Sequence, residues 1–221
     1  MLKVYYLKIS DFENLPDRFF YSAVGRDTLA VVGDYKNERV RRTKLLGEGM
    51  TRKLLGTLWG INGAECRIVK GEHGKPYVEG EAQSVFFNLS HSGDYIVCAL
   101  SDREIGVDIE RKGKARLAVA RRFFHPEEIQ QLEGLSGKEQ DDLFFGYWSV
   151  KESFLKYTGS GLSTPLSGFE VRFGGEGIVI RQVLKRVPVF IYECPIDPTY
   201  KCFVCSENQE LPEIQPWKWS I

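Results

Sequence analysis

The 221-residue chain has no excess of charge, since thirty Lys and Arg balance thirty Asp and Glu. A domain built to coat nucleic acid shows a basic surplus, and none is present. Long hydrophobic runs are missing as well. No apolar stretch approaches the roughly 20 residues needed to cross a bilayer. The opening MLKVYYLKISDFENL carries charges inside its first apolar run, unlike a signal peptide. A disulfide framework is also lacking. The five cysteines, at 66, 98, 194, 202 and 205, are odd in number and irregular in spacing, as in a reduced, cytoplasmic protein. Cys202 and Cys205 have CxxC form, but the spacer is apolar and no second CxxC follows. A core strand explains them better than zinc or redox chemistry. Low-complexity segments are absent. What is present is ordinary globular composition, 43% hydrophobic and 27% charged, in a chain long enough for one large domain or two small ones.

Alternating apolar residues and turn formers predict strands over 4–9, 84–87, 95–100 and 105–109. Further strands are predicted over 169–173, 177–180, 189–192 and 200–204. The stretch 37–59 is helical, with Met50, Leu54, Leu55, Leu58 and Trp59 as its apolar stripe and Gly47 and Gly49 as expected interruptions. A second helical stretch at 116–124 stops before Pro126, which is suited to open the next helix. The following helix ends near Gly159 and Gly161. Each half reads as strand, helix, strands. The expected fold is α+β, with one lobe over residues 1–103 and a second over 104–221. The terminal IQPWKWSI has no interpretable period.

The segment WSVKESFLK at 148–156 holds an anomaly. At 100° per residue, Phe144, Trp148 and Leu155 fall within about 40° of one another. Leu143, Tyr147, Val150 and Phe154 widen that apolar arc, and Lys151 projects from its middle. A lysine so placed needs an anion, either a carboxylate or a ligand. Glu152 and Lys156 share the edge of the arc. In GVDIE at 106–110, the strand period sends Asp108 and Glu110 to one face and Val107 and Ile109 to the other. The two carboxylates repel unless a cation or a basic residue lies between them, although a solvated strand face also accommodates them. Glu152 adds a third carboxylate. All-oxygen ligands suit magnesium, and the His and Cys ligands that favour zinc are missing from these stretches.

NLSHSGD at 88–94 lies on the expected connection between two strands. Its hydroxyls, His91 and free amides suit phosphate oxygens, or else satisfy a hairpin's own backbone. Arg39, Arg41, Arg42 and Lys44, in a helical stretch begun by Lys36, make a basic cluster that reads either as a solvated face or as a polyanion site.

Taken together, GKP at 74–76, FNLSHS at 87–92, GVDIE, RRFF at 121–124 and WSVKESFLK resemble the 4'-phosphopantetheinyl transferases. The likeness is closest to the monomeric, surfactin-synthetase-activating type, from about residue 36 to about 165. The resemblance implies two similar α/β lobes related by a pseudo-twofold axis, with the site in the cleft between them. It implies transfer of the phosphopantetheine arm of coenzyme A, the substrate, to a serine of an apo acyl or peptidyl carrier protein. Adenosine 3',5'-bisphosphate would be the other product. Asp108, Glu110 and Glu152 match the family's magnesium site, and Glu152 its proposed general base. Lys156 matches a position near the pyrophosphate, with Lys151 directed at phosphate or at the metal-bound carboxylates. Ser90 and His91 match positions that hold the adenosine phosphates, and Lys75 a position near the adenine. Lys36, Arg39 and Arg52 lie where the family places basic groups for the 3'-phosphate. Ser153, within KES, resembles members serving nonribosomal peptide and polyketide synthetases.

The acceptor should meet an apolar patch rimmed by basic residues, which residues 112–124 supply through Lys114, Arg116, Arg121, Arg122, Phe123 and Phe124. An amphipathic helix covering a sheet explains those phenylalanines equally well. Two other function classes remain to be weighed. One is a module that holds coenzyme A or a carrier without turnover. The other is a nucleic-acid protein built on the basic helix at 36–53, against which the balanced charge speaks.

Overall fold

A computed structural model describes residues 1–60, 66–80, 85–175, 177–182 and 189–219. The N-terminal half runs β1 (Leu2–Lys8), two short 3-10 turns, α1 (Arg26–Val32) and α2 (Glu38–Trp59). It continues through the hairpin β2 (Ile68–Lys70) and β3 (Pro76–Val78), then β4 (Phe86–Ser92) and β5 (Tyr95–Ser101). The C-terminal half opens with β6 (Ile105–Arg111), α3 (Leu117–Phe123), α4 (Pro126–Glu133) and α5 (Gly137–Thr158). It ends with β7 (Phe169–Gly174), β8 (Gly177–Gln182), β9 (Phe190–Glu193), β10 (Tyr200–Ser206) and β11 (Glu213–Pro216).

The expected α+β architecture of two similar lobes is what these elements build. Each lobe sets a sheet against one 22-residue helix, α2 or α5, and each helix ends at a left-handed glycine, Gly60 or Gly159. The first sheet has the order β11-β1-β5-β4 and the second β6-β10-β9. Every residue of β5 is buried, because its two faces serve two cores. Ile96, Cys98 and Leu100 face α2, while Tyr95, Val97 and Ala99 join Val107, Ile109, Cys202 and Val204 in a layer between the sheets. Phe203 and Cys205, on the alternate face of β10, pack on the α5 side. The CxxC cysteines are therefore buried, free and on opposite faces, as a core strand requires.

Three expectations need correction. Gly47 and Gly49 do not interrupt α2. A Cβ at Gly47 would press on Leu89 and one at Gly49 on Trp219, so both glycines admit a neighbour rather than break the helix. The strand expected over 84–87, whose first residue lies outside the described residues, instead occupies Phe86–Ser92, so Asn88 to Ser92 form strand and only Gly93 and Asp94 turn the chain. The second lobe expected over 104–221 does not keep the described part of its tail. β11 pairs in parallel with β1, with Val4 opposite Ile214, and Trp217 and Trp219 pack into the first lobe's core. The α2 stripe is as expected at Met50, Leu54, Leu55 and Leu58, while the side chain of Trp59 falls outside the described residues.

Candidate active site

The site lies along β4 and β6, the adjacent edges of the two sheets. These strands run in the same direction but are joined by side chains. The Val107 amide donates to Asn88 Oδ1 at 2.9 Å, the Ile109 amide to Ser90 Oγ at 3.3 Å and the Arg111 amide to Ser92 Oγ at 3.0 Å. Each serine in turn donates a hydrogen bond. Ser90 donates to Asp108 Oδ1 at 3.0 Å and Ser92 to Glu110 Oε2 at 2.8 Å. The polar residues at 88, 90 and 92 thus form one face of a strand, and they orient the carboxylates at 108 and 110. The hydroxyl of Ser90 thus accepts from the Ile109 amide and from Lys156 and donates to Asp108.

On the other side of the seam stands α5. It approaches β6 closely because residue 106 is glycine, where a Cβ would overlap the Ser153 carbonyl oxygen and the Tyr157 amide. That approach brings the Lys156 ammonium to Asp108 Oδ1 at 2.7 Å, Ser90 Oγ at 2.9 Å and the Val107 carbonyl at 3.1 Å. Asp108 is 3% exposed, and its Oδ2 is buried without a hydrogen-bond partner among the described residues. Burial raises the Asp108 pKa against the pull of Lys156. Burial also raises Glu110 and Glu152, and the Asp108 charge raises each of them further. Three carboxylates that destabilise one another's charge are a donor set short of positive charge.

An all-oxygen set with an orphaned buried oxygen fits a hard divalent cation. As placed, no three His, Cys, Asp or Glu side chains among the described residues converge on a single ion position. The Lys156 ammonium stands at Asp108 in the place of a cation.

Two cavities adjoin the seam and share Pro76 and Leu89 in their walls. The larger, about 1110 Å³, is lined by Arg39, Lys44, Arg52, Arg67, His91 and Arg111 among others. The smaller, about 270 Å³, lies between Lys75 on the hairpin side and Glu152 and Lys156 on α5. Lys75 donates to Glu104 Oε2 at 2.6 Å and to the Tyr157 carbonyl at 3.0 Å, so it links the lobes. Arg39 is exposed at the cavity's rim and donates to the Gly93 carbonyl. Arg52 lines the wall with its Nε on Glu48 at 2.8 Å and a terminal nitrogen on the Cys66 carbonyl at 2.5 Å. Lys36 is exposed in the turn before α2 and is not part of that wall. The basic cluster divides accordingly. Arg41 and Arg42 are tied to Asp17, and only Arg39 and Lys44 face the cavity.

Lys151 is placed elsewhere. It is 0% exposed, bonded at 2.9 Å to Glu128 of α4, which is also 0% exposed. Its remaining protons go to the Leu166 and Phe169 carbonyls, each at 2.8 Å. The expected contact with phosphate or with the metal-site carboxylates is therefore corrected, because every donor of the ammonium is spent inside its own lobe. Glu128, Ser92, Asn88 and Arg111 are the participants that the sequence reading passed over. The alternation of Asn88, Ser90 and Ser92 opposite Asp108 and Glu110 was the available signal for the seam. For Glu128 the signal was its place two residues after the helix-opening Pro126, where a glutamate closes a capping box on the His125 amide, although nothing local names Lys151 as its partner.

Family models match both halves of the chain. Residues 104–205 match the 4'-phosphopantetheinyl transferase superfamily, and residues 18–103 the N-terminal region of a 4'-phosphopantetheinyl transferase. The 4'-phosphopantetheinyl transferase Sfp of Bacillus subtilis (strain 168) is 37% identical over 180 residues, 81% of this chain and 80% of that protein. The 4'-phosphopantetheinyl transferase gsp of Aneurinibacillus migulanus is 32% identical over 222 residues, covering 100% of this chain and 92% of its own length. A putative 4'-phosphopantetheinyl transferase of Synechocystis, slr0495, is 46% identical over 107 residues, covering 47% of this chain and 44% of that protein. With the carboxylate seam and the two-lobed fold, these likenesses place the chain in the 4'-phosphopantetheinyl transferase superfamily.

Proposed function

We propose that this protein transfers the 4'-phosphopantetheine arm of coenzyme A to a serine of an apo acyl or peptidyl carrier protein, releasing adenosine 3',5'-bisphosphate. The observation that carries the reading is the composition of the seam. Three partly desolvated carboxylates and one ammonium lie along the seam, and two of these groups, Glu152 and Lys156, line the smaller cavity, which shares wall residues with the cation-lined one. Asp108, Glu110 and Glu152 are the residues that would hold magnesium. An ion held there would supply positive charge to offset the charge that develops during phosphoryl transfer.

The chain's own side chains account for the rest. Arg39, Lys44 and Arg111 line the larger cavity, where a nucleotide's phosphates meet positive charge, and His91, its pKa lowered by burial and by Lys156, lines it as a neutral hydrogen-bonding ring. Arg52 shapes that wall through Glu48. Lys75 stands at the mouth of the smaller cavity. The acceptor serine oxygen forms a bond to the phosphorus that carries the pantetheine arm, and the bond from that phosphorus to the bisphosphate breaks. Glu152, with a pKa raised by burial and by Asp108, takes the serine proton. Lys156 offsets the charge that develops on the departing bisphosphate.

The acceptor face is the outer side of α3 and the chain leading to it. Lys114, Arg116, Arg121 and Arg122 are exposed there, and Phe123 is 40% exposed with Arg122 over its ring at 5.1 Å. Phe124 is buried in the lobe's core, so the two phenylalanines divide between docking and packing. Ser153 is 0% exposed and donates to the Val150 carbonyl at 2.8 Å. Any preference for peptide or polyketide synthetases associated with it acts through packing. All these groups come from one chain, so a monomer suffices for this reading.

Incubation with coenzyme A, magnesium and an apo-carrier, read by intact mass, should add one phosphopantetheine to the carrier. Binding of both partners with no mass gain on any acyl or peptidyl carrier contradicts transfer and selects a holding function.

A further inference from the structure

The Glu128–Lys151 pair takes no part in the chemistry above, yet it is the most completely enclosed ion pair described in the molecule, with both side chains 0% exposed. Burial pushes the Glu128 carboxyl up and the Lys151 ammonium down, and their mutual attraction opposes both shifts. Two apolar side chains of the same volume would secure this core as well or better. What they could not do is fix orientation. Glu128 Oε1 takes Lys151 and the Val171 amide at 2.7 Å, while Oε2 takes the His125 amide at 2.9 Å. Lys151 adds the Leu166 and Phe169 carbonyls. One carboxylate and one ammonium thereby set the N-terminus of α4, the start of β7 and the rotation of α5. Lys151 directly precedes Glu152, so a turn of α5 about its axis moves Glu152 relative to Asp108. Phe124, at the end of α3, lies 5.8 Å from the ammonium and stacks on Phe144 at 5.5 Å and 23°. Its neighbours Arg122 and Phe123 belong to the acceptor face.

We propose that Glu128 and Lys151 are positioning residues that, through Phe124 and the start of α4, tie the acceptor face on α3 to the Glu152 segment of α5, holding a docked carrier and the transfer site in one frame. The proposal rests on the carrier-transfer reading. It places the effect on the carrier side of the kinetics, because the cation-lined cavity for coenzyme A is walled by the α2 lobe apart from Arg111, which the pair does not touch.

The test is a double-mutant cycle on the full chain with Glu128→Gln, Lys151→Met and the combined variant, assayed for carrier and coenzyme A kinetics and for melting temperature. Each single change strands a polar or charged partner and should lower the melting temperature more than the combined change does. The combined variant should keep a cooperative melt yet lose about tenfold or more in kcat/KM for the carrier, with KM for coenzyme A unchanged within about twofold. A combined variant with wild-type carrier kinetics overturns the proposal. So does a rise in KM for coenzyme A as large as the loss on the carrier side, which marks a general loosening of both lobes rather than a positioning role. Should the combined variant fail to fold, Glu128→Gln decides by the same split, since its side-chain oxygen still accepts from Lys151 and Val171. If the wild-type protein itself transfers nothing, the functional reading fails instead, and that outcome is visible before any variant is made.

Discussion

Lys151 and Lys156 stand a turn and a half apart on one helix in opposite circumstances. The first is 0% exposed, and its three partners all come from the C-terminal lobe. The second has a side chain 28% exposed, and its partners come from both lobes: Ser90 on β4, Asp108 and Val107 on β6. Residue type does not separate scaffold from site here. The origin and the exchangeability of the partners do. A lysine saturated by buried carbonyls and a buried carboxylate cannot turn to a substrate without leaving those groups unsatisfied. A lysine shared between a hydroxyl and a cleft carboxylate exchanges partners at far smaller cost.

The comparison is open to direct attack, and the largest effect expected is at the carboxylate between the lobes. Asp108→Ala should reduce transfer by more than about 10³-fold, because the seam loses its most buried ligand. Its melting temperature should change little, since the side chain carries an orphaned oxygen and fills no apolar gap. Full transfer by that variant would remove the metal assignment. Lys151→Met should act in the other currency, lowering stability by about 3–5 kcal/mol in a denaturant melt, because Glu128 is left buried and unpaired. An unchanged midpoint with coenzyme A binding lost would exchange the roles assigned to the two lysines. Trp219→Ala should cost about 3–5 kcal/mol, since this ring is 8% exposed and packs against Phe20 at 4.9 Å within the first lobe. A small change would detach the C-terminal tail from that core. Lys156→Met should lower kcat/KM by about 10²-fold with the fold retained. Loss of stability without loss of rate would make it a second Lys151. Trp148→Ala is the smallest, at about 1–2 kcal/mol, because that ring is only half-buried between Phe124 and Phe144.

The sequence carried the local halves of this arrangement and not their partners. The period of 3.6 exposed Lys151 as a buried charge, and the period of two put Asp108 and Glu110 on one face, because both patterns lie within a single element. The identity of the anion beside Lys151 depended on how α4 packs against α5, and the capping-box position of Glu128 marks a helix start without naming Lys151 as its partner. The NLSHS stretch read as a turn because its alternate polar residues resemble solvated loop. They are polar because the amides of Val107, Ile109 and Arg111 must be met by side chains where two sheet edges run together. The terminal tryptophans had no readable period because β11 is a short parallel addition to β1, a pairing across almost the whole chain. Gly47 and Gly49 looked like helix breakers for a similar reason, since Leu89 and Trp219, which occupy the space they leave, are remote in sequence.

The central claim is that the seam between the lobes, and not either lobe alone, performs a cation-dependent transfer. The most direct test is the intact mass of an apo-carrier after incubation with coenzyme A and the wild-type protein, with magnesium and with a chelator, beside Asp108→Asn under both conditions. The account predicts one phosphopantetheine added by the wild type with magnesium and no addition in the other three reactions. Addition that persists in the chelator, or in Asp108→Asn, would contradict it.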